Sequence, residues 1–402
     1  MTTTPALKDT KLFKSIKVGN IELENRLVHA PTTRYRATKD NVPTDSLLTY
    51  YEQRAENNGG LLISEGTYGA DNWGLHNNVP EIKTPAQVEG WRQVVEAVHN
   101  KGSFFAIQLW NMGRAADPKL NKERGLPFVA PSALYFDEES EKAAKEAGNE
   151  VRALTIPEIE AYVKEFGAAA KRVVHEAKAD FAEIHGAQGY LLDEFNQAEA
   201  NERTDKYGGS IENRARFLLE SIDAAIDAVG AEHVAVRLSP YATFQGIKGV
   251  DSSCHPIAFF GYVLSELEKR ANEGKRLAYV SVVEPRVSGN ADSKDTREFN
   301  TSWIREIWKG VMIKSGAYLN ENYKFLQQDV ESDDQLLIGA SRYYTSNPDL
   351  ADRLRNGWKL NKYERSLFYK VFSNEGYITF PKYGEEASKY KYLETVTPKP
   401  LA

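Results

Sequence analysis

One cysteine, Cys254, stands in 402 residues. A single thiol excludes an internal disulfide, a zinc site built on several thiolates and a cysteine-ligated iron–sulfur cluster within one chain. No run of about 18 apolar residues occurs, so nothing in the sequence reads as a membrane-spanning helix. Basic excess is also missing: the formal net charge is −6, and no positive footprint points to nucleic acid. The opening MTTTPALKDTKLF has no apolar core segment of a secretory signal. The C-terminal PKPLA is not a peroxisomal SKL, and a cytoplasmic location is expected. No GxGxxG follows an early strand, which removes the usual mark of an open dinucleotide-binding sheet.

What is present is alternation. Hydrophobic residues make up 41% of the chain and aromatics 11%, enough for a sizeable core. Short, nearly continuous apolar runs lie at 26–31, 60–66, 103–110, 181–186, 233–240, 277–284, 310–316 and 335–342. Unbroken apolar character is what strands covered on both faces require. Helical patterns fall between them, near 45–58, 84–101, 154–178, 213–229, 256–273, 301–309, 320–330 and 347–357. Thr84, Pro85 and Gln87 spell an N-cap, a first-turn proline and a capping box. SNPDLADRL predicts an N-cap followed by a proline at the first helical position. Alternation of this kind forces parallel strands joined by crossover helices, and eight units close a (β/α)8 TIM barrel of the α/β class. The charged segment 115–153 interrupts the alternation after the third strand and is expected to be an excursion over the barrel mouth. Within it, DEESEKAAKEAG reads as a solvated helix or a flexible insertion. Residues 361–402 form a C-terminal extension, and the whole chain, 1–402, reads as one domain.

Barrel active sites lie at the C-terminal ends of the strands. Those ends carry Thr33, Gly66, Gln108, His185, Arg237, Gly316 and Arg342. One such residue alone is weak evidence, because a strand-end arginine is more often a salt bridge than a ligand clamp. Seven in register are another matter. The last two ends, KSGAY and GASRY, are where many barrels hold phosphate, with backbone N–H groups and here Arg342 as donors. An amide, an arginine and a hydroxyl suit a flat heterocycle with imide edges, a description that fits flavin mononucleotide. A metal hydrolase is the rival of different chemistry. It would often carry H-x-H on the first strand, where this chain has only His29, so no metal is expected.

The residues then resemble a known family. NERTDKYGGSIENRARF (201–217) resembles a signature of the old yellow enzymes, FMN-containing ene-reductases and NADPH dehydrogenases, and especially of their fungal branch. APTTRYRA (30–37), QLW (108–110), VRLSP (236–240), VVEPRVSGN (282–290), IWKG (307–310) and RYYTSNPDL (342–350) are similar to further family segments. The resemblance implies non-covalent FMN, with NADPH or NADH as reductant. It puts Pro31, Thr32, Thr33, Gly66, Gln108 and Arg237 around the ring, and Gly316, Ser341 and Arg342 on the phosphate. It gives His76, Trp110, Phe244 and Tyr377 to the substrate pocket. It assigns His185 and Gln188 to the carbonyl oxygen of an α,β-unsaturated aldehyde or ketone, and Tyr190 to proton delivery at the α-carbon. The implied partners are small enones, with no nucleic acid and no membrane, in a monomer or a homodimer.

Three departures from the family pattern bear on the site. Gln188 is one methylene longer than the usual Asn. Ala317 stands where an Asn is common. Ser341 replaces a frequent Gly and would be strained if its φ were positive. A specialised pathway enzyme on the same scaffold, acting on a particular unsaturated aldehyde or ketone, a flavin-binding stress or sensor protein with incidental turnover, and a flavin-free barrel are the remaining rivals.

Overall fold

The structure is a computed structural model that describes residues 5–289, 291–293, 297 and 299–402. Asn290, the last residue of VVEPRVSGN, and the first four residues of the chain lie outside the described residues. Eight parallel strands form a closed barrel. They are β1 (Leu27–His29), β2 (Leu61–Ile63), β3 (Phe104–Leu109), β4 (Phe181–Gly186), β5 (Val234–Leu238), β6 (Tyr279–Val283), β7 (Met312–Ser315) and β8 (Leu336–Ala340). Closure comes from β8 pairing with β1, Ile338 opposite Leu27. All eight apolar runs of the sequence are these strands, and nearly every strand residue is buried.

The crossover helices are α1 (Asp45–Ala55), α2 (Pro85–His99), α3 (Ile156–Lys171), α4 (Ile211–Val229), α5 (Pro256–Asn272), α6 (Ile304–Ile307), α7 (Lys324–Ser332) and α8 (Leu350–Asn356). The capping box of α2 forms as the sequence spelled it: Thr84 accepts from the Gln87 backbone N–H, and the Gln87 side chain returns the bond. The start of α8 is a correction. Asp349 is the N-cap and Leu350 the first helical residue, so Pro348 lies before the cap rather than inside the first turn. The reason lies just upstream, where Arg342–Ser346 form a helical turn of their own and Asn347 closes it.

Below the barrel, the hairpin Ile16–Val18 and Ile21–Leu23 plugs the N-terminal end. Its Ile16, Val18 and Leu23 join Val28, Ile63, Phe181, Tyr279 and Leu337 in one interior cluster. The three-residue strands of this hairpin are too short to show a period in the sequence. Above the barrel, the excursion contains a helix, Glu138–Ala147, with an Asp137 cap and largely exposed residues, the solvated helix of the expected alternatives. Just before that cap, Phe136 packs against the turn at Gly246. The C-terminal extension returns across the barrel wall. Arg34 and Arg36, both buried, donate to backbone carbonyls of Leu367, Phe368, Ser373, Glu375 and Gly376 and so tie it down.

Candidate active site

At the C-terminal mouth of the barrel lies a cavity of about 810 Å³. This is within the size range of cofactor and substrate sites. The strand period explains who lines it. Side chains alternate between the barrel interior and the helix layer, so i and i+2 share a face. On β4, Phe181 is in the interior cluster, which puts Glu183 and His185 on the same inner face, one step and two steps higher. Gln108 on β3 and Arg237 on β5 also face inward and reach the cavity wall. Of the residues expected at the site, Pro31, Thr32, Thr33, His76, Gln108, Trp110, His185, Gln188, Tyr190, Arg237, Phe244, Gly316, Ser341 and Arg342 all line this cavity.

Two expected residues do not line it. Gly66 sits behind Trp110, where an added Cβ would come within 2.4 Å of the indole, so its task is to let that ring lie flat against the strand. Tyr377 is fully buried and stacks on Tyr50 with centroids 4.3 Å apart. The guanidinium carbons of Arg34 and Arg36 stand 5.1 and 4.9 Å from its centroid. Two cations beside an aromatic ring draw it into the wall rather than the mouth. The extension contributes Phe368 and Tyr369 to the cavity instead.

The cavity has a polar floor, an anion corner and an aromatic side. On the floor, Arg237 is half-buried, and its buried Nε has no partner among the described residues. Gln108 donates from Nε2 to Glu183 Oε1 at 2.6 Å. A carboxylate accepts and does not donate, so this bond fixes the amide orientation and leaves the Gln108 oxygen free to accept. In the anion corner, Gly316 has φ +130° and Ala317 φ +56°, a turn that an alanine adopts at some cost in strain. Ser341 has φ −120°, so the strain considered for it is absent. Its hydroxyl pairs with Thr32 Oγ1 at 2.9 Å. Arg342 pairs with Asp292 and with the Tyr363 hydroxyl.

On the aromatic side, Tyr190 lies edge-on to Trp110 and His185, with centroids 4.9 and 5.1 Å away. Burial, with Tyr35 beside it, pushes the Tyr190 phenol well above the ordinary tyrosine range. Burial and the charge of Arg237 hold His185 well below the ordinary histidine range, so its imidazole is neutral. Its Nδ1 is buried without a partner among the described residues. Gln188 sits in the left-handed region, φ +58°. Its backbone N–H donates to Ser239 Oγ, and its Oε1 accepts from the Gly289 N–H at 3.2 Å. The amide nitrogen is the group left to face a ligand.

These donors fit a flavin mononucleotide. The imide edge of that ring presents one N–H between two carbonyls, which matches an amide with a free oxygen beside an unpartnered arginine. Its phosphate matches a positive-φ glycine turn beside Arg342. No group of three or more candidate metal ligands occurs among the described residues. None of their helices is long and apolar enough to cross a membrane.

Sequence reasoning passed over Glu183, Tyr35, Phe136, Phe368 and Tyr369. Glu183 carried a usable signal, because it stands two residues before His185 on the same strand face. The other four come from loops whose paths only the folded chain shows.

Comparison with known proteins agrees with the geometry. Residues 11–361 match the NADH:flavin oxidoreductase / NADH oxidase family. A probable NADPH dehydrogenase of Candida albicans is 47% identical, over 98% of this chain and 95% of the relative. Enoate reductase 1 of Kluyveromyces lactis is 41% identical, over 95% and 96%. The crystal structure of an old yellow enzyme from Pichia sp. AKU4542 superposes with a TM-score of 0.93 at 62% identity, covering 98% of this chain and 100% of that one. The chain therefore belongs to the NADH:flavin oxidoreductase family as an FMN-dependent NAD(P)H oxidoreductase of the old yellow enzyme type.

Proposed function

We propose that the protein reduces the carbon–carbon double bond of α,β-unsaturated aldehydes, ketones and similar activated alkenes. The observation that carries this reading is that His185, Gln188 and Tyr190 all line the cavity, two neutral donors and a neutral phenol within six residues at the end of β4. Bound FMN supplies a two-electron carrier that takes a hydride from NAD(P)H and gives one to the alkene.

Gln108 and Arg237 would hold the ring edge, with Thr33 and the backbone of Pro31 and Thr32 beside it. Gly316, Ser341 and Arg342 would hold the phosphate. His185 and the Gln188 amide would donate to the substrate carbonyl oxygen and stabilise the negative charge that collects there as the β-carbon receives hydride. Both donors are neutral, so they add hydrogen bonds without fixing a charge in the resting pocket. Tyr190 would then deliver its phenolic proton to the α-carbon. A phenol held protonated by burial is available for this at any physiological pH. Trp110, His76, Phe244 and Tyr35 would bound the alkene and keep water from the reacting carbons. We take the chain as one catalytic unit, with segment 115–153 supplying part of the cavity rim through Phe136.

The test is anaerobic. Protein reduced with one equivalent of NADPH is mixed with cyclohexenone, and flavin reoxidation is followed with analysis of the product. Formation of cyclohexanone in step with reoxidation is expected. Reoxidation by oxygen but by no member of an enone and enal panel would overturn the proposal.

A further inference from the structure

Beneath the cavity floor, a carboxylate lies where the proposed mechanism uses none. Glu183 is completely buried in the barrel interior, on the same face of β4 as His185. It stands directly opposite Gln108 in the β3–β4 register. Three side chains from other barrel strands act on it. Gln108 of β3 donates to its Oε1. Burial pushes the Glu183 carboxyl above the ordinary carboxylate range; Arg237 of β5 is the charge that most opposes this and favours the ionised form, and Glu183 is in turn the group that most favours the charged form of Arg237. Tyr279 of β6 faces the remaining oxygen, yet neither Glu183 Oε2 nor the Tyr279 hydroxyl completes a hydrogen bond of regular geometry.

An isolated buried carboxylate is costly to keep, and an arginine nearby is the bland reason to have one. That reason does not explain the Gln108 bond. A hydroxyl or an amide at this position could donate as well as accept, and so could pair with the Gln108 amide in either orientation. A carboxylate accepts only from the N–H₂ end, which commits the Gln108 oxygen to the cavity. The same carboxylate opposes the positive field of Arg237 in a region of low effective dielectric, where fixed charges act over several ångströms.

We propose that Glu183 is a positioning residue for the flavin site. It holds the Gln108 amide in its flavin-accepting orientation and offsets the charge of Arg237, and so sets how strongly the site favours the reduced cofactor. The inference rests on the placement of the flavin edge at Gln108 and Arg237.

The physical consequence has a definite sign. Two-electron reduction adds negative charge to the bound ring, and a fixed carboxylate below the ring opposes that charge. Removing it leaves Arg237 unopposed, so the reduced form gains.

The experiment measures FMN affinity and midpoint potential in the parent and in Glu183→Gln, Glu183→Asp and Gln108→Ala. Glu183→Gln is expected to shift the oxidised–reduced equilibrium about tenfold toward reduced flavin. For a two-electron couple that is about 30 mV upward. The same variant should bind FMN several-fold more weakly, because its amide no longer dictates the orientation of Gln108. Glu183→Asp, which keeps the charge, should restore the parent potential. A potential unchanged in a folded, yellow Glu183→Gln protein, with Gln108→Ala weakened for FMN, would overturn the role of Glu183 and leave the placement standing. Full FMN affinity in Gln108→Ala would instead remove the placement, and this inference with it. Should the Glu183 variants fail to fold, the unaltered holoprotein still answers. Its infrared difference spectrum between oxidised and reduced states, with glutamate carboxyls carrying ¹³C, should show one shifted buried carboxylate band. Absence of such a band would overturn the proposal.

Discussion

The guanidinium of Arg342 is paired with the carboxylate of Asp292 at 2.5 Å, across the mouth of the cavity. Arg342 begins the helical turn after β8, and Asp292 ends the two-stranded ribbon Val287–Ser288 with Ala291–Asp292 after β6. A carboxylate thus holds the arginine proposed to grip phosphate. Arg342→Ala should weaken FMN by roughly 2–4 kcal/mol, because a charge-assisted pair to a phosphate is lost. Asp292 is half-exposed, and competition from an exposed partner is weak. Asp292→Asn should therefore strengthen FMN by no more than about 1 kcal/mol. Fluorescence titration of apoprotein with FMN and with riboflavin checks both. Riboflavin, which lacks the phosphate, should bind the parent and Arg342→Ala alike.

Tyr190 is boxed by Trp110 and His185 and kept protonated by burial. Tyr190→Phe keeps the ring and its edge-on packing and removes only the hydroxyl. Flavin reduction by NADPH should proceed at nearly the parent rate, while enone reduction slows by about 10²–10⁴. Stopped-flow measurement of the two half-reactions separates them. Equal slowing of both would assign Tyr190 to binding.

Much of this arrangement could be read before the fold was known, and the exceptions have physical causes. The eight strands were legible because burial on both faces leaves unbroken apolar runs, and their polar ends stood out against that background. Tyr377 differs from its expected place because a tyrosine in an irregular extension has no period to say which way it points. Only Arg34 and Arg36, more than 300 residues earlier in the chain, draw it into the wall. Gly66 belongs to the site only through the indole it admits, a three-dimensional packing fact. Pro348 shows a local signal overridden by its neighbours, since the turn Arg342–Ser346 moved the cap to Asp349.

The short helix Leu191–Asn196 that follows Tyr190 predicts an unusual pH response. Burial raises Glu194 to about 8, with Asp193 beside it adding to the rise and Arg114 opposing it. Its ordinary value is 4.5, so the folded state keeps a proton that the unfolded state has released. The stabilisation is complete below about pH 4.5 and is lost as pH rises through about 8. Glu194→Gln cannot lose that proton, and its Oε1 can still accept from the Arg114 N–H. The fall in Tm between pH 5 and pH 8 should be smaller in the variant, by roughly 1–2 °C for each kcal/mol of linkage in a chain of this size. Calorimetry at the two pH values on FMN-saturated protein checks the difference, which baseline destabilisation alone would not produce.

Gln188 gives the sharpest test of the carbonyl clamp. Its extra methylene lets Oε1 reach the Gly289 N–H at 3.2 Å, an anchor on the loop after β6. With the oxygen anchored, the amide N–H₂ is the end turned to the ligand, and it can donate beside His185. Gln188→Ala removes that donor and should weaken a substituted phenol, whose phenolate oxygen imitates the developing charge, by about 1–3 kcal/mol. Gln188→Asn is more informative. Asparagine tolerates the left-handed backbone at this position, so the loop should keep its path. Its shorter amide can no longer hold Gly289 and donate into the cavity at once, so donation persists without the anchor. Phenol affinity should then fall between those of the parent and the alanine variant, and the rate ranking among small and bulky enones should change. Titration of the long-wavelength charge-transfer band measures the affinities. If Gln188→Ala binds phenols as tightly as the parent, the amide points away from the ligand, and His185 holds the oxygen with another donor.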